Sequence, residues 1–218
     1  MTSSKRQIHY VTSSGFKIEE NNVFTQSEVL KDGTKVSDAF DFVFRSESIK
    51  EMLEVDLRVM VQAEVVDAYS RIKVPCIVEH AGIIFDEFSA QEYPGGLTKP
   101  MWNTLADDFL KETNSANRRA KARAVIAYCD GKTVQTFVGE TSGRLADAPR
   151  GSRRFYWDTV FIPDKTNGKP GTKTYAEIVE DPKLGLAHKM REYSQSAKAM
   201  RAFLEYLLKN PSPDLWQH

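Results

Sequence analysis

Asp130-Gly131 separates two runs rich in apolar and β-branched residues, 122–129 and 133–140, and constrains the chain more than any other feature. An Asp-Gly pair supplies the backbone of a tight hairpin turn, so the two runs are expected to pair as antiparallel neighbours in a sheet. Residues 7–12 read as a further strand. So do residues 36–44, where Val36, Phe40, Phe42 and Phe44 alternate. The apolar run 74–78 reads as a short buried strand ending on Glu79-His80. A helix-like segment opens at Lys17. Residues 48–70 place apolar side chains at 49, 53, 57, 60, 61, 65 and 68, a helical period. Residues 101–111 predict another helix. The spacing 187, 190, 193, 197, 200, 204, 207 predicts a long amphipathic one, stopped by Pro211 and Pro213. Pro94-Gly95-Gly96 marks a turn and residues 164–172 a loop. The sum is an α/β chain with substantial antiparallel pairing. Neither a repeat nor a linker divides it, so residues 1–218 are expected to form one domain.

Composition narrows the function. Apolar residues make up 41% of the 218 positions and charged residues 28%, which excludes a disordered chain, a collagen-like repeat and a coiled-coil rod. Thirty Lys and Arg balance thirty Asp and Glu. A zero balance argues against coating a nucleic-acid polymer but leaves room for a local basic cleft. No run approaches the roughly 18 apolar residues that cross a membrane, and the basic start lacks the apolar stretch of a secretory leader. Cys76 and Cys129 lie in apolar contexts and read as buried thiols of a reducing, cytoplasmic setting.

Four places could carry chemistry. Thr12-Ser13-Ser14-Gly15-Phe16-Lys17 lies between a strand and a helix, where backbone N–H groups, hydroxyls and a lysine suit phosphate oxygens. The alternative there is a plain helix cap. Glu79-His80 closes a buried strand, a position where ligands gather in open sheets and where a carboxylate can hold Mg²⁺. The alternative is two side chains reaching solvent. Arg150, Arg153 and Arg154 precede Phe155, Tyr156, Trp157 and Asp158, a set able to stack on a base and neutralise a phosphate tail. It could equally be a core edge beside a solvated basic loop. Lys183, His188 and Lys189 cluster near the last helix, as either an anion site or a solvated surface. Metal-binding HExxH, paired Cys/His zinc spacing, GxSxG, GxGxxG and a P-loop are all absent.

The order and spacing of these segments resemble the inosine triphosphate pyrophosphatase family from Tyr10 to about Leu208. The family's T-G-N-x-x-K is similar to Thr12-Ser13-Ser14-Gly15-Phe16-Lys17, and its acidic strand motif to Glu79-His80-Ala81-Gly82-Ile83. Its PG turn is similar to Pro94-Gly95. The match is closest over Gly139-Glu140-Thr141-Ser142-Gly143-Arg144, Ala148-Pro149-Arg150-Gly151, Phe155-Tyr156-Trp157-Asp158, Phe161, Pro163-Asp164 and Thr174-Tyr175-Ala176-Glu177. The terminal K-N-x-x-S-H-R resembles Lys183 through Ala187, His188 and Lys189. The resemblance implies an elongated, two-lobed α/β fold with a mixed sheet, flanking helices and a nucleotide cleft between the lobes. It also implies a homodimer, Mg²⁺, and cleavage of ITP, dITP or XTP to monophosphate and pyrophosphate. Thr12, Ser14, Lys17 and Lys183 would then face the phosphates, and Phe155, Trp157 and Asp158 the purine. His188 and Lys189 would approach the C6 oxygen. A donor there suits a keto group, whereas an amino group would leave both sides unsatisfied.

The departures cluster at the catalytic end. His80 stands where the family carries its catalytic aspartate, and an imidazole is a poor Mg²⁺ ligand. Glu64 aligns with a family lysine, Ser14 with an asparagine, Tyr156 with a glycine and Lys189 with an arginine. The implied metal ligands are Glu79 and an upstream glutamate, Glu54 or Glu51. Three readings follow. One is a catalytically impaired nucleotide sensor or regulatory subunit that reports to an effector protein. A damaged relative of this kind would suit a bacterial anti-phage circuit with an NAD-consuming partner, though no residue points to that setting. The second is a working Mg²⁺-dependent pyrophosphatase with rearranged ligands. The third is a structural subunit with a vestigial cleft.

Overall fold

A computed structural model describes residues 5–113, 116, 118–153 and 156–210; Arg154, Phe155, Pro211 and Pro213 lie outside them. Among the described residues six strands form one mixed sheet in the order β2-β1-β3-β4-β5-β6. They are β1 (Arg6–Val11), β2 (Phe40–Arg45), β3 (Cys76–Phe85), β4 (Arg119–Cys129), β5 (Val134–Leu145) and β6 (Phe161–Pro163). The helices are α1 (Gly15–Ser27), α2 (Val36–Ala39), α3 (Leu57–Ile72), α4 (Thr98–Leu105), α5 (Tyr175–Glu180), α6 (Gly185–His188) and α7 (Gln195–Lys209). β1 runs parallel to β2 and β3, whereas β3, β4, β5 and β6 pair antiparallel. The Asp130-Gly131 hairpin forms as expected. Asp130 Oδ1 accepts the Lys132 and Thr133 amides at 2.8 and 2.7 Å, and Gly131 takes φ 89°.

Flanking helices bury both faces of the sheet at its β1 end. Tyr10, Ile77, Ile126 and Tyr128 pack with Phe24 of α1 and Met200, Phe203 and Leu204 of α7. On the opposite face Val78, Val125 and Ala127 pack against Leu57, Val61, Val65 and Ala68 of α3. Beyond Ile83 a third cluster gathers Phe85, Trp102, Phe109, Trp157, Phe161 and Tyr175. Burial at roughly 25 cal/mol per Å² of apolar surface is the main force holding these layers together.

Several boundaries differ from the sequence expectation, each for a local reason. The strand of residues 36–44 starts only at Phe40, because residues 36–39 form a helical turn in which the Ala39 amide donates to Lys35 O at 3.3 Å. The helix of residues 48–70 starts at Leu57, where the Asp56 carboxylate caps it by accepting the Arg58 amide at 2.7 Å. Upstream, Leu53 continues the helical spacing but is 76% exposed and packs into no core. Residues 101–111 belong to α4, which starts at Thr98, and to a 3₁₀ turn over Ala106–Lys111, entered through Ala106 at φ 49°. The helix of residues 187–208 is interrupted by a π-turn, Lys189–Tyr193, and by Ser194, whose hydroxyl caps α7. Most consequential is β3. It runs ten residues, so Glu79 and His80 sit mid-strand rather than at its end. β4 pairs with β3 from Cys76 to Phe85, but β1 accompanies it only at Cys76 and Ile77. Cys76 and Cys129 are free, buried register partners across that ladder, and burial pushes the Cys76 thiol up to about 12.

Candidate functional site

Where β1 departs from β3, the sheet opens into a cleft of about 450 Å³. Its walls come from four directions: the β1–α1 turn, the irregular stretch 47–53, α3 with β3, and the start of α4 with Tyr156 and Trp157. The β1–α1 turn is built by its hydroxyls. Thr12 Oγ1 accepts the Ser14 amide at 3.2 Å, and Ser14 Oγ accepts the Lys17 amide at 3.4 Å as the cap of α1. Lys17 extends its ammonium to donate to the Glu79 carbonyl oxygen. The helix N-terminus, hydroxyls and one lysine expected from the sequence are therefore assembled at one wall of the cleft.

Strand alternation sends Glu79 and His80 to opposite faces of the sheet. Glu79 is buried, and its two carboxylate oxygens accept from Tyr10 Oη at 2.6 Å and Ser196 Oγ at 2.6 Å. Burial and the neighbouring Glu79 charge hold the Tyr10 phenol well above its usual range. On the other face, His80 Nε2 lies 2.5 Å from Oε2 of Glu64, a carboxylate with no exposed surface. Glu64 Oε1 has no hydrogen-bond partner. The structure does not bring the implied Mg²⁺ ligands together. Glu79 is already engaged through both oxygens, and Glu54 Oε1 accepts the Val55 and Asp56 amides at 2.7 and 3.3 Å. Among the described residues no three His, Cys, Asp or Glu side chains converge as a metal cluster. The Glu79–Glu54 pair does not fit a magnesium ion.

A second cavity of about 150 Å³ lies one helical turn along α1, lined by Phe16, Glu19 and Glu20, by Asp158 and Lys189, and by α5. Lys189 is 3% exposed, and its ammonium donates to Asp158 Oδ2 at 2.6 Å and Glu20 Oε1 at 2.8 Å. It also lies 4.8 Å from the centre of the Tyr175 ring. Burial disfavours the Lys189 charge, but the Asp158 and Glu20 charges outweigh it and raise the ammonium's pKa. Burial pushes the Asp158 carboxyl up to about 6 against the opposing pull of Lys189. Asp158 Oδ1 is buried without a hydrogen-bond partner. The chemistry is that of a buried donor flanked by acceptors, suited to a flat heterocycle with both kinds of polar edge.

The other expected residues divide. Trp157 lines the cleft floor and packs edge-on to Phe161, with ring centres 6.0 Å apart. Lys183 is exposed, and His188 packs edge-to-face on Tyr193 at 5.5 Å with Nδ1 3.3 Å from Arg191 Nη2. Neither lines the cleft or the second cavity. Phe155 lies outside the described residues. Arg150 pairs with Glu177 at 3.2 Å and Arg153 with Asp107 at 2.7 Å, so these arginines serve the loop rather than the cleft. Two residues were missed by sequence reasoning. Glu20 follows Lys17 by three positions, a spacing that places it one turn along the same helix. Lys99 faces the cleft from α4 and pairs with Glu51 at 3.3 Å; its place beside the Pro94-Gly95-Gly96 turn was the available signal.

Comparison with known proteins identifies the family. The sequence model of the Ham1 family matches residues 8–206. A dITP/XTP pyrophosphatase of Hyperthermus butylicus is 28% identical over 200 residues, covering 91% of this chain and 96% of the relative. An inosine triphosphate pyrophosphatase of Candida glabrata is 28% identical over 202 residues, covering 90% and 98%. The structure of a HAM1 protein from Coxiella burnetii superposes with a TM-score of 0.63 at 16% identity, covering 92% of this chain and 99% of that one. Matching this family along nearly its whole length, and sharing its fold, the chain belongs to the Ham1 family.

Proposed function

We propose that this chain binds 6-keto purine nucleoside triphosphates of the ITP, dITP and XTP class and is impaired in hydrolysing them with Mg²⁺. The purine would enter the cavity at Lys189, Asp158 and Glu20, and the triphosphate would lie along the cleft beside Thr12, Ser14 and Lys17. Helix α1 spans both places, with Lys17 at the cleft and Glu20 at the cavity. One observation supports the reading: Lys189, Asp158 and Glu20 form a hydrogen-bonded donor–acceptor set at the second cavity, while His80 and Glu64 close on each other at 2.5 Å on the cleft floor. Phosphoryl transfer rests on placed metal and charge compensation, which this floor lacks in its carboxylate form. As a binder without turnover the chain would act as a nucleotide sensor or regulatory subunit with an effector protein, in a cytoplasmic setting. A homodimer and a single two-lobed unit over residues 1–218 belong to the same proposal.

A second reading, a working Mg²⁺-dependent pyrophosphatase releasing monophosphate and pyrophosphate, is favoured by the activities named for the relatives and by the unpartnered Glu64 oxygen. One experiment separates them: ITP, dITP, XTP and ATP are titrated by calorimetry while pyrophosphate release with Mg²⁺ is followed in parallel. The proposal expects ITP or dITP to bind at least about tenfold tighter than ATP, a difference of about 1.4 kcal/mol, without turnover. Turnover selects the enzyme. Equal affinity for ATP removes the base-cavity argument.

A further inference from the structure

Two metal-binding atom types face each other on the cleft floor: the His80 Nε2 nitrogen on β3 and the Glu64 Oε2 oxygen on α3, 2.5 Å apart. Both residues line the cleft. Glu64 has no exposed surface, and its second oxygen has no hydrogen-bond partner. Burying a carboxylate with idle lone pairs carries a desolvation cost, and a bound cation removes it. The competing carboxylate, Glu79, is on the other face with both oxygens occupied.

We propose that His80 and Glu64 form a mixed nitrogen–oxygen site for a first-row transition-metal dication, replacing the all-carboxylate Mg²⁺ site that the family resemblance implies. Mg²⁺ takes hard oxygen donors in a strict octahedron and sheds water reluctantly. Imidazole shifts preference toward the later divalent metals of the first row. Binding replaces the direct His80–Glu64 contact, and a proton carried by either donor atom is released to solvent as the metal enters. The protein supplies two donors and water fills the remaining positions. The site does not rest on the purine reading, although phosphate oxygens would replace those waters if that reading holds.

The probe is Co²⁺ alone, without nucleotide, followed by calorimetry and by its visible absorption, which reports nitrogen ligation. Wild type is expected to bind Co²⁺ at least tenfold tighter than Mg²⁺. His80→Ala and the isosteric Glu64→Gln should each weaken Co²⁺ at least tenfold, and Glu79→Gln should leave it unchanged. His80→Asp would set two carboxylates against each other. Its melting temperature in metal-free buffer should fall, Mg²⁺ should restore it, and the Co²⁺ preference over Mg²⁺ should shrink. The proposal is overturned if wild type binds no Co²⁺ or binds Mg²⁺ as tightly. It is also overturned if His80→Ala and Glu64→Gln both leave Co²⁺ binding intact, or if Glu79→Gln removes it. The preference for ITP over ATP, measured separately, depends on the other cavity, so failure of the cation site and failure of the nucleotide reading are distinguishable.

Discussion

Lys189 places one positive charge between two carboxylates with almost no water around it. Such a pair contributes less through its attraction than it would cost if broken, because removing one partner strands buried charge. Lys189→Met should therefore destabilise the fold by about 3–5 kcal/mol, read from urea unfolding, and should abolish any preference for 6-keto purines. A destabilisation below about 1 kcal/mol would mean that Asp158 and Glu20 find other partners. Asp158 adds a pH signature. Burial lifts its folded pKa to about 6, above the ordinary 3.8 of an aspartate, so the folded state holds the proton more tightly. The stabilisation from that proton is complete below about 3.8 and is lost as pH rises through about 6. Asp158→Asn should remove this falling component, at most about 3 kcal/mol, seen as wild-type and variant stability curves converging or crossing between those pH values. Parallel curves would refute the burial argument. At this scale the sequence was informative about identity and silent about direction. Asp158 and Lys189 were each singled out from the sequence, and the structure joins them by a hydrogen bond of 2.6 Å, whereas nothing in Glu79-His80 told that the carboxylate turns toward Tyr10 and Ser196.

Among the elements, α5 has the clearest local code. Thr174 Oγ1 accepts the Glu177 amide at 3.2 Å and Glu177 Oε2 accepts the Thr174 amide at 2.8 Å, a complete capping box. The helix is only six residues long and walls the second cavity, the proposed purine site, through Ala176, Val179 and Glu180. Thr174→Ala should cost about 1 kcal/mol and weaken purine binding more than it weakens binding of inorganic pyrophosphate. Equal loss for both ligands would show that α5 does not shape the base end. Elements with strong local signals, such as the Asp130-Gly131 hairpin and α1 behind its Ser14 cap, were readable from the sequence. Those set by tertiary context were not. β3 extends past His80 because β4 continues to pair with it, and that ladder leaves no local mark at residues 79 and 80. The amphipathic spacing over residues 187–208 runs straight through Ser194, since periodicity records a buried face but not the cap that interrupts it.

At the scale of the whole molecule, the cleft exists because a parallel and an antiparallel region meet in one sheet and β1 stops at the junction. The cleft and the second cavity are then joined by α1, with Lys17 at the cleft and Glu20 at the cavity, and by Trp157 and Asp158, which line one each. That connection separates the two ends of a ligand experimentally. Lys17 is held at the cleft by the Glu79 carbonyl oxygen, a neutral acceptor that a phosphate oxygen would outcompete. Lys99 is held instead by the charged Glu51 at 3.3 Å, so a phosphate must displace an ion pair to recruit it. Lys17→Ala should therefore weaken ITP binding by roughly 1.5–3 kcal/mol, the worth of a charged hydrogen bond, and leave inosine binding nearly unchanged. Lys99→Ala should produce a smaller loss, because Glu51 already offsets that lysine's attraction. Lys183→Ala should produce none, since Lys183 is exposed and lines neither cavity. Calorimetry with ITP and inosine on the three variants orders them. If Lys183→Ala weakens ITP as much as Lys17→Ala does, the triphosphate leaves the cleft toward the α5–α6 connection, and the ligand path drawn along α1 is wrong.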